Sequence, residues 1–329
     1  MANKIFKYAK KFLPLIGIVI LIYLVFRLDV EKIKDAFLSI QPIYILFSLS
    51  LTIPALFFRN YSWQLVQKEQ KIKLSFIQSL KILLIGSFYA IFTPGFLGHL
   101  IRVPYMKEKT GEPYGKLFVN VFIEVTLRTT VVILMMLAGS LLILGMFSQI
   151  FVYIILIVVI WLLLLLYFIK RERGERLFNS LIKYFLPNRL KDSSYKFVNT
   201  FYTDFPKIRR LIIPLVVGTF AIILVNFQIY LFVMALGINI PYLYFLLLTP
   251  IATIISFLPI TVAGLGTREL TSVWLFSTLF AAPKEGILVV TILGFLATDI
   301  FEGFLGFLVS LTEADGKDVK DIEAMITKN

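Results

Sequence analysis

Apolar runs long enough to enter or cross a bilayer recur along the chain. They lie near residues 12–26, 42–58, 74–93, 117–147, 151–169, 211–236, 241–258 and 284–311, with a shorter piece at 269–280. A helical span needs about 20 mostly apolar residues. The runs are continuous rather than alternating, which predicts helices and not a membrane barrel. Connections are brief except for segment 170–210, which carries eleven basic and four acidic residues. There Leu177, Leu181, Ile182 and Phe185 are interspersed among RERGER, LPNRLKD and KIRR. That pattern predicts an amphipathic helix on the cytoplasmic membrane surface. The pattern as a whole predicts one all-α membrane bundle over residues 1–312, of about eight spanning or embedded segments. A short cytoplasmic tail follows over 313–329.

Sidedness follows from lysine and arginine placement. Lys4, Lys7, Lys10 and Lys11 put the N-terminus inside. This basic start and the apolar run after it are like a signal peptide, but the run ends in Phe26, Arg27 and Leu28 rather than in small residues. It is read as a retained first span. The charge-balanced stretch 27–41 fits the outside, and Arg59, Lys68, Lys71 and Lys73 bring the chain back inside. A single crossing by 74–93 would put both Arg102 to Lys116 and the basic 170–210 segment outside. Both anomalies vanish if residues 74–105 enter from the cytoplasm and turn back at Thr93-Pro94-Gly95-Phe96-Leu97-Gly98. Residues 241–258 likewise run into a Pro259 to Gly266 break, followed by a short helix from Glu269. Two broken hairpins entering from opposite faces predict an inverted-repeat transporter architecture, with both termini cytoplasmic.

Composition supports the membrane class: 59% of residues are apolar and 16% charged, with a mean hydropathy of +0.88. A soluble domain is about half apolar and a quarter charged. The net charge of +13 sits in short loops beside apolar runs, as membrane orientation requires, so no nucleic-acid partner is expected. The chain has no cysteine and one histidine, His99. Thiolate chemistry is excluded, and a zinc site or histidine-based catalysis is not expected. No nucleophile elbow, P-loop or dinucleotide fingerprint occurs. Neither cofactor, metal nor enzymatic activity is expected.

Broken backbone at membrane depth persists only when buried in protein or lining a wet cavity. Each break is followed by an arginine, Arg102 after the first and Arg268 after the second. Guanidinium groups bind phosphate bidentately. With the amides of Gly95, Gly98, Gly264 and Gly266, they would suit a phospholipid or polyprenyl-phosphate head group; packing breaks with interface-seeking arginines are the alternative. Glu269 either pairs with a neighbouring cation or favours the positive start of its helix. Glu124 and Arg128 share one helical face, as an intramembrane pair or a structural ion pair near the interface. Asp299 and Glu302, flanked by apolar sequence, should face the interior near Arg268 or Arg102, where they could couple ions. His99 reads as a structural histidine, and Arg59 with Trp63 as an interfacial anchor.

Taken together, Arg59 and Trp63, Thr93-Pro94-Gly95 with Gly98 and Arg102, and Phe257-Leu258-Pro259 through Gly264-Leu265-Gly266-Thr267-Arg268-Glu269 are familiar. Over roughly residues 10–312 the chain resembles the flippase-like family, the lysylphosphatidylglycerol synthase transmembrane region. The resemblance implies about eight membrane helices with re-entrant elements. It implies an activity like that of multiple peptide resistance factors, in which this region flips an aminoacylated phospholipid between leaflets. It also places Arg102, Arg268 and Glu269 in a lipid-handling cavity. The chain departs from the family pattern in three ways. His99 stands where an acidic residue is usual. Val125 follows Glu124 where arginine is usual, and Arg128 stands at an aspartate position. The aminoacyl-transferase domain is missing, so lysylphosphatidylglycerol synthesis is not expected and the lipid stays open. The leading expectation is a lipid flippase of the cell membrane that acts on membrane lipids, alone or as a homo-oligomer. The rivals are a scaffold partnering a glycosyltransferase or lipid synthase, and an intramembrane lipid-modifying enzyme.

Overall fold

A computed structural model of the protein describes residues 19–93, 97–185, 188–257, 261 and 264–314. Every regular element among these is helical. The chain begins with α1 (19–27), α2 (Val30–Leu38), α3 (Pro42–Ser50), α4 (Thr52–Glu69) and α5 (Phe76–Ile91). Next come a 3₁₀ turn (Leu97–Ile101), α6 (Arg102–Thr110), α7 (Tyr114–Leu142) and α8 (Ser148–Ile169). The second half holds α9 (Arg171–Phe185), α10 (Asn188–Thr203), α11 (Ile212–Ala235), α12 (Tyr242–Phe257) and α13 (Thr267–Phe280). It ends with α14 (Lys284–Phe295), a π-helical turn (Leu296–Ile300) and α15 (Phe301–Ala314).

Local chemistry fixes several boundaries. Asp29 Oδ1 accepts from the Glu31 and Lys32 amides and caps α2. Ser75 and Gln78 form a reciprocal capping box at the start of α5, which satisfies two amide donors that a helix start leaves unpaired. Gly111, at φ +71°, closes α6 in the left-handed conformation.

Four helical stretches among the described residues are long and apolar enough to cross a membrane: Pro42–Glu69, Tyr114–Leu142, Ile208–Ala235 and Lys284–Glu313. A fifth arises if α8 and α9, bent by 89°, count as one span. The outward side chains of α8, such as Leu162, Leu163 and Leu166, are exposed. An apolar band that wide is suited to lipid rather than water. The apolar runs 74–93 and 241–258 became α5 and α12, of sixteen residues each. At 1.5 Å per residue each is about 24 Å long, short of a hydrocarbon core of about 30 Å.

Both short helices end where the chain doubles back. A Cβ on Gly98 would lie 2.4 Å from the Ala90 Cα, and one on Gly264 would lie 2.2 Å from the Ser256 Cβ. Each glycine thus presses on the helix it has just left, eight positions earlier. A single sequence offset relates Phe76–Ile91 to Tyr242–Phe257, Gly98 to Gly264 and Arg102 to Arg268. The packing is reciprocal too. The first short helix, α5, lies along α15, the second, α12, lies along α7, and α4 lies along α11. At both crossings a glycine of the long helix sits against a backbone carbonyl of the short one, Gly306 on Leu84 and Gly139 on Leu247. Small residues permit this close approach of membrane helices.

Segment 170–210 forms two helices, α9 and α10, rather than one. Its apolar residues Ile182, Val198, Phe201 and Tyr202 are buried together with Val119 and Ile123 of α7. Much of the amphipathic face is therefore covered by the protein itself. Gly95, with Pro94 and Phe96, and tail residues 315–329 lie outside the described residues.

Candidate functional site

Charged side chains meet at the centre of the bundle, where four helices and the first break converge. Arg102, the first residue of α6, is fully buried. Its Nη1 donates to Glu124 Oε2 of α7 at 2.8 Å, and its Nη2 meets His99 Nδ1 at 2.9 Å. The guanidinium lies 5.1 Å from the ring centroid of Trp63, a favourable cation–π placement. Gly86 makes room for this side chain, since a Cβ there would stand 2.4 Å from Arg102 Nε. Trp63 itself is fully buried and donates from Nε1 to Asn120 Oδ1 at 2.7 Å; Asn120 in turn donates to Gln70.

Arg59 of α4 donates to Glu302 Oε1 of α15 at 2.5 Å, and its Nε lies 3.6 Å from Glu124 Oε1. The Ser87 hydroxyl also donates to Glu302. Arg128 of α7 reaches the remaining face of the histidine, with Nη2 2.9 Å from His99 Nε2. Three arginines and two carboxylates thus meet here, and Arg59 and Arg102 take the carboxylates. A buried charge needs an opposite partner to offset desolvation, and among the described residues Arg128 forms no ion pair.

The second break carries its own arginine. Arg268 Nε and Nη2 both donate to Glu269 Oε1, at 3.1 and 2.7 Å, and the guanidinium covers Phe295 at 4.7 Å. Glu269 Oε2 accepts from the Gly266 amide at 2.5 Å, so this residue fills both roles the sequence left open. Asp299, on the π-helical turn, lies 3.7 Å from Arg268 and keeps 54% of its side chain exposed. Such one-turn bulges commonly mark functional positions within a helix.

These groups border a cavity of about 1640 Å³, larger than the roughly 300–1,000 Å³ of a small-ligand pocket. Its walls are mainly apolar faces of α7, α8, α10, α11 and α12. Its polar lining includes Arg59, His99, Glu124, Arg128, Arg268, Asp299 and Glu302. The structure therefore brings five of the expected site residues to the cavity: Glu124, Arg128, Arg268, Asp299 and Glu302. Arg102, Glu269, Gly98, Gly264 and Gly266 are not part of its lining, but Arg102 binds Glu124 and Glu269 binds Arg268 from behind. Among the described residues no cluster of His, Asp and Glu could hold a metal ion.

Two expectations need correction. Arg59 and Trp63 are not an interfacial anchor. Helix α4 continues to Glu69, so both fall inside the bundle, where Arg59 meets Glu302 and Trp63 donates to Asn120. Glu124 and Arg128 do not pair with each other, because the fully enclosed Arg102 takes the Glu124 carboxylate and His99 takes Arg128. Sequence reasoning missed Arg59 and Ser87 as members of the cluster and His99 as its bridge. The available signal was the apolar sequence on both sides of Arg59, PALFF before it and aromatic NYSW after it.

Comparison with known proteins gives one assignment. The family model described as "Lysylphosphatidylglycerol synthase TM region" matches residues 14–306. No curated protein matches the chain. The family match covers both breaks, the central arginines and the cavity walls. With helices able to cross a membrane, the chain is a membrane protein that belongs to the lysylphosphatidylglycerol synthase transmembrane-region family.

Proposed function

We propose that the protein moves a phosphate-bearing lipid between membrane leaflets and does not alter it chemically. The observation that carries this reading is Arg128, which among the described residues forms no direct ion pair and stands on the wall of a large, mainly apolar cavity. Apolar walls accommodate acyl or polyprenyl chains. The polar centre replaces the water that a head group must leave when it crosses hydrocarbon. Arg128 and Arg268 contact the phosphate, Asp299 meets hydroxyl or amine donors of the head group, and Arg102 positions the cluster from behind.

The short helices α5 and α12 support the re-entrant reading. Each enters the membrane, breaks and returns, and their reciprocal packing is what an inverted repeat requires. With α1, α8 and the two hairpins counted, the bundle has about eight embedded segments, both termini are cytoplasmic and the host is the cell membrane. The substrate class is a phospholipid or a polyprenyl-phosphate-linked lipid.

Reconstitution into vesicles tests the proposal, with a nitrobenzoxadiazole-labelled phosphatidylglycerol whose outer-leaflet fraction is quenched by dithionite. The wild type should equilibrate the label across the bilayer. Arg128→Ala should slow this by about tenfold or more, the loss of one charge-assisted contact. An unchanged rate removes Arg128 from the path. A wild type that moves no lipid but copurifies with a stoichiometric enzyme supports a scaffold role instead.

A further inference from the structure

The partner of Arg128 decides what its charge can do. Arg59 has Glu302 and Glu124, Arg102 has Glu124, and Arg268 has Glu269. Arg128 has His99. The ring is buried, with a guanidinium nitrogen 2.9 Å from each of its nitrogens. A guanidinium only donates hydrogen bonds, and an imidazolium presents two N–H donors and no acceptor. A ring held between two arginines is therefore neutral, and its single acceptor nitrogen takes a hydrogen bond from only one of them. It orients Arg128 without cancelling its charge. Arg128 Nε is buried with no hydrogen-bond partner, so the guanidinium retains unused donor capacity beside the cavity. Position 99 is fixed by the backbone, because Gly98 packs onto Ala90 and the Leu97–Ile101 turn leads directly into Arg102.

We infer that His99 sets the head-group selectivity of the cavity: as a neutral spacer between Arg102 and Arg128, it occupies the place of a direct ion-pair partner and leaves Arg128 able to contact a phosphate. The inference rests on the cavity being a lipid site. A carboxylate at position 99 would put an acid directly between Arg102 and Arg128 and compete with a phosphate for Arg128. A neutral amide there would not.

The test is binding of short-chain dihexanoyl-phosphatidylglycerol to the full chain in a non-ionic detergent, alongside the vesicle assay. His99→Asp should weaken binding by at least about tenfold, whereas His99→Gln should stay within about threefold of the wild type. Size exclusion checks that each variant is folded, and His99→Glu carries the same charge if the aspartate variant is not. Inorganic phosphate alone should bind at least about tenfold more weakly, since it leaves the apolar walls unused. Equal affinity for phosphate and the lipid would make this a free-anion site and overturn the lipid half. Wild-type affinity in His99→Asp, or equal loss in the Asp and Gln variants, would overturn the role of His99. A wild type that binds the short-chain lipid but moves none refutes transport and leaves the selectivity assignment standing.

Discussion

Replacing Glu124 with alanine should lower the stability of the protein by about 3–5 kcal/mol, the cost of leaving a buried cation without its partner. Glu124 Oε2 is the carboxylate that meets fully buried Arg102, and Oε1 faces Arg59. Arg102 has no exposed surface, so removing the acid leaves its charge beside His99, Trp63 and other cations. Glu313 provides the comparison. It pairs with Lys81 and Lys109, whose side chains are 41% and 35% exposed. Alanine there should cost no more than about 1 kcal/mol, because water and salt screen such pairs. Thermal unfolding of the two variants in one detergent measures the difference. Equal losses would mean that the central cluster is hydrated rather than enclosed.

A second large effect is expected at Gly264, where the chain packs back on α12. Gly264 has φ +70°, and a Cβ there would stand 2.2 Å from the Ser256 Cβ. Valine at this position incurs left-handed backbone strain and overpacking together, about 2–5 kcal/mol in all. The displaced turn would also carry Arg268, four residues on, away from Asp299. Lipid movement should therefore fall below detection even where folding survives. Gly237 separates the two contributions, since it has φ +62° and a methyl group there would meet no neighbouring atom within 4 Å. Alanine there incurs only the backbone strain, about 1–2 kcal/mol. Unfolding measurements on Gly264→Val and Gly237→Ala, with vesicle transport of the former, test this. A Gly264→Val variant with wild-type transport would show that this turn has no part in the path.

The class of the protein was legible because membrane insertion is written in composition. Runs such as 117–147 and 284–311 must be helical in hydrocarbon, where no water satisfies a free backbone. The breaks were legible for the same reason, since proline and glycine interrupt otherwise unbroken apolar sequence. Partner choice was not. Glu124 and Arg128 sit four apart, a spacing that favours pairing on an isolated helix. In the bundle, Arg102 arrives from the preceding break, is the more deeply enclosed and takes the carboxylate. Helix length misled in a second place. The apolar run ends near residue 58, which put Arg59 at a boundary. The helix continues with polar Asn60, Ser62 and Gln67 buried on protein, and a hydropathy pattern cannot distinguish a polar face turned to water from one turned to a neighbouring helix. Segment 170–210 read as one helix and forms two, whose apolar residues pack partly on α7, and an apolar stripe looks the same whether protein or lipid covers it.

The central claim is that a lipid occupies the interior cavity. Its most direct test is photolabelling in nanodiscs with a phospholipid carrying a diazirine at the end of one acyl chain, followed by peptide mass spectrometry. Adducts are expected on the inner wall, at Phe122 and Leu127 of α7 and at Thr249 and Thr253 of α12, which all line the cavity. Adducts confined to outward-facing Leu162, Leu163 and Leu166 of α8, with none on the inner wall, would contradict it.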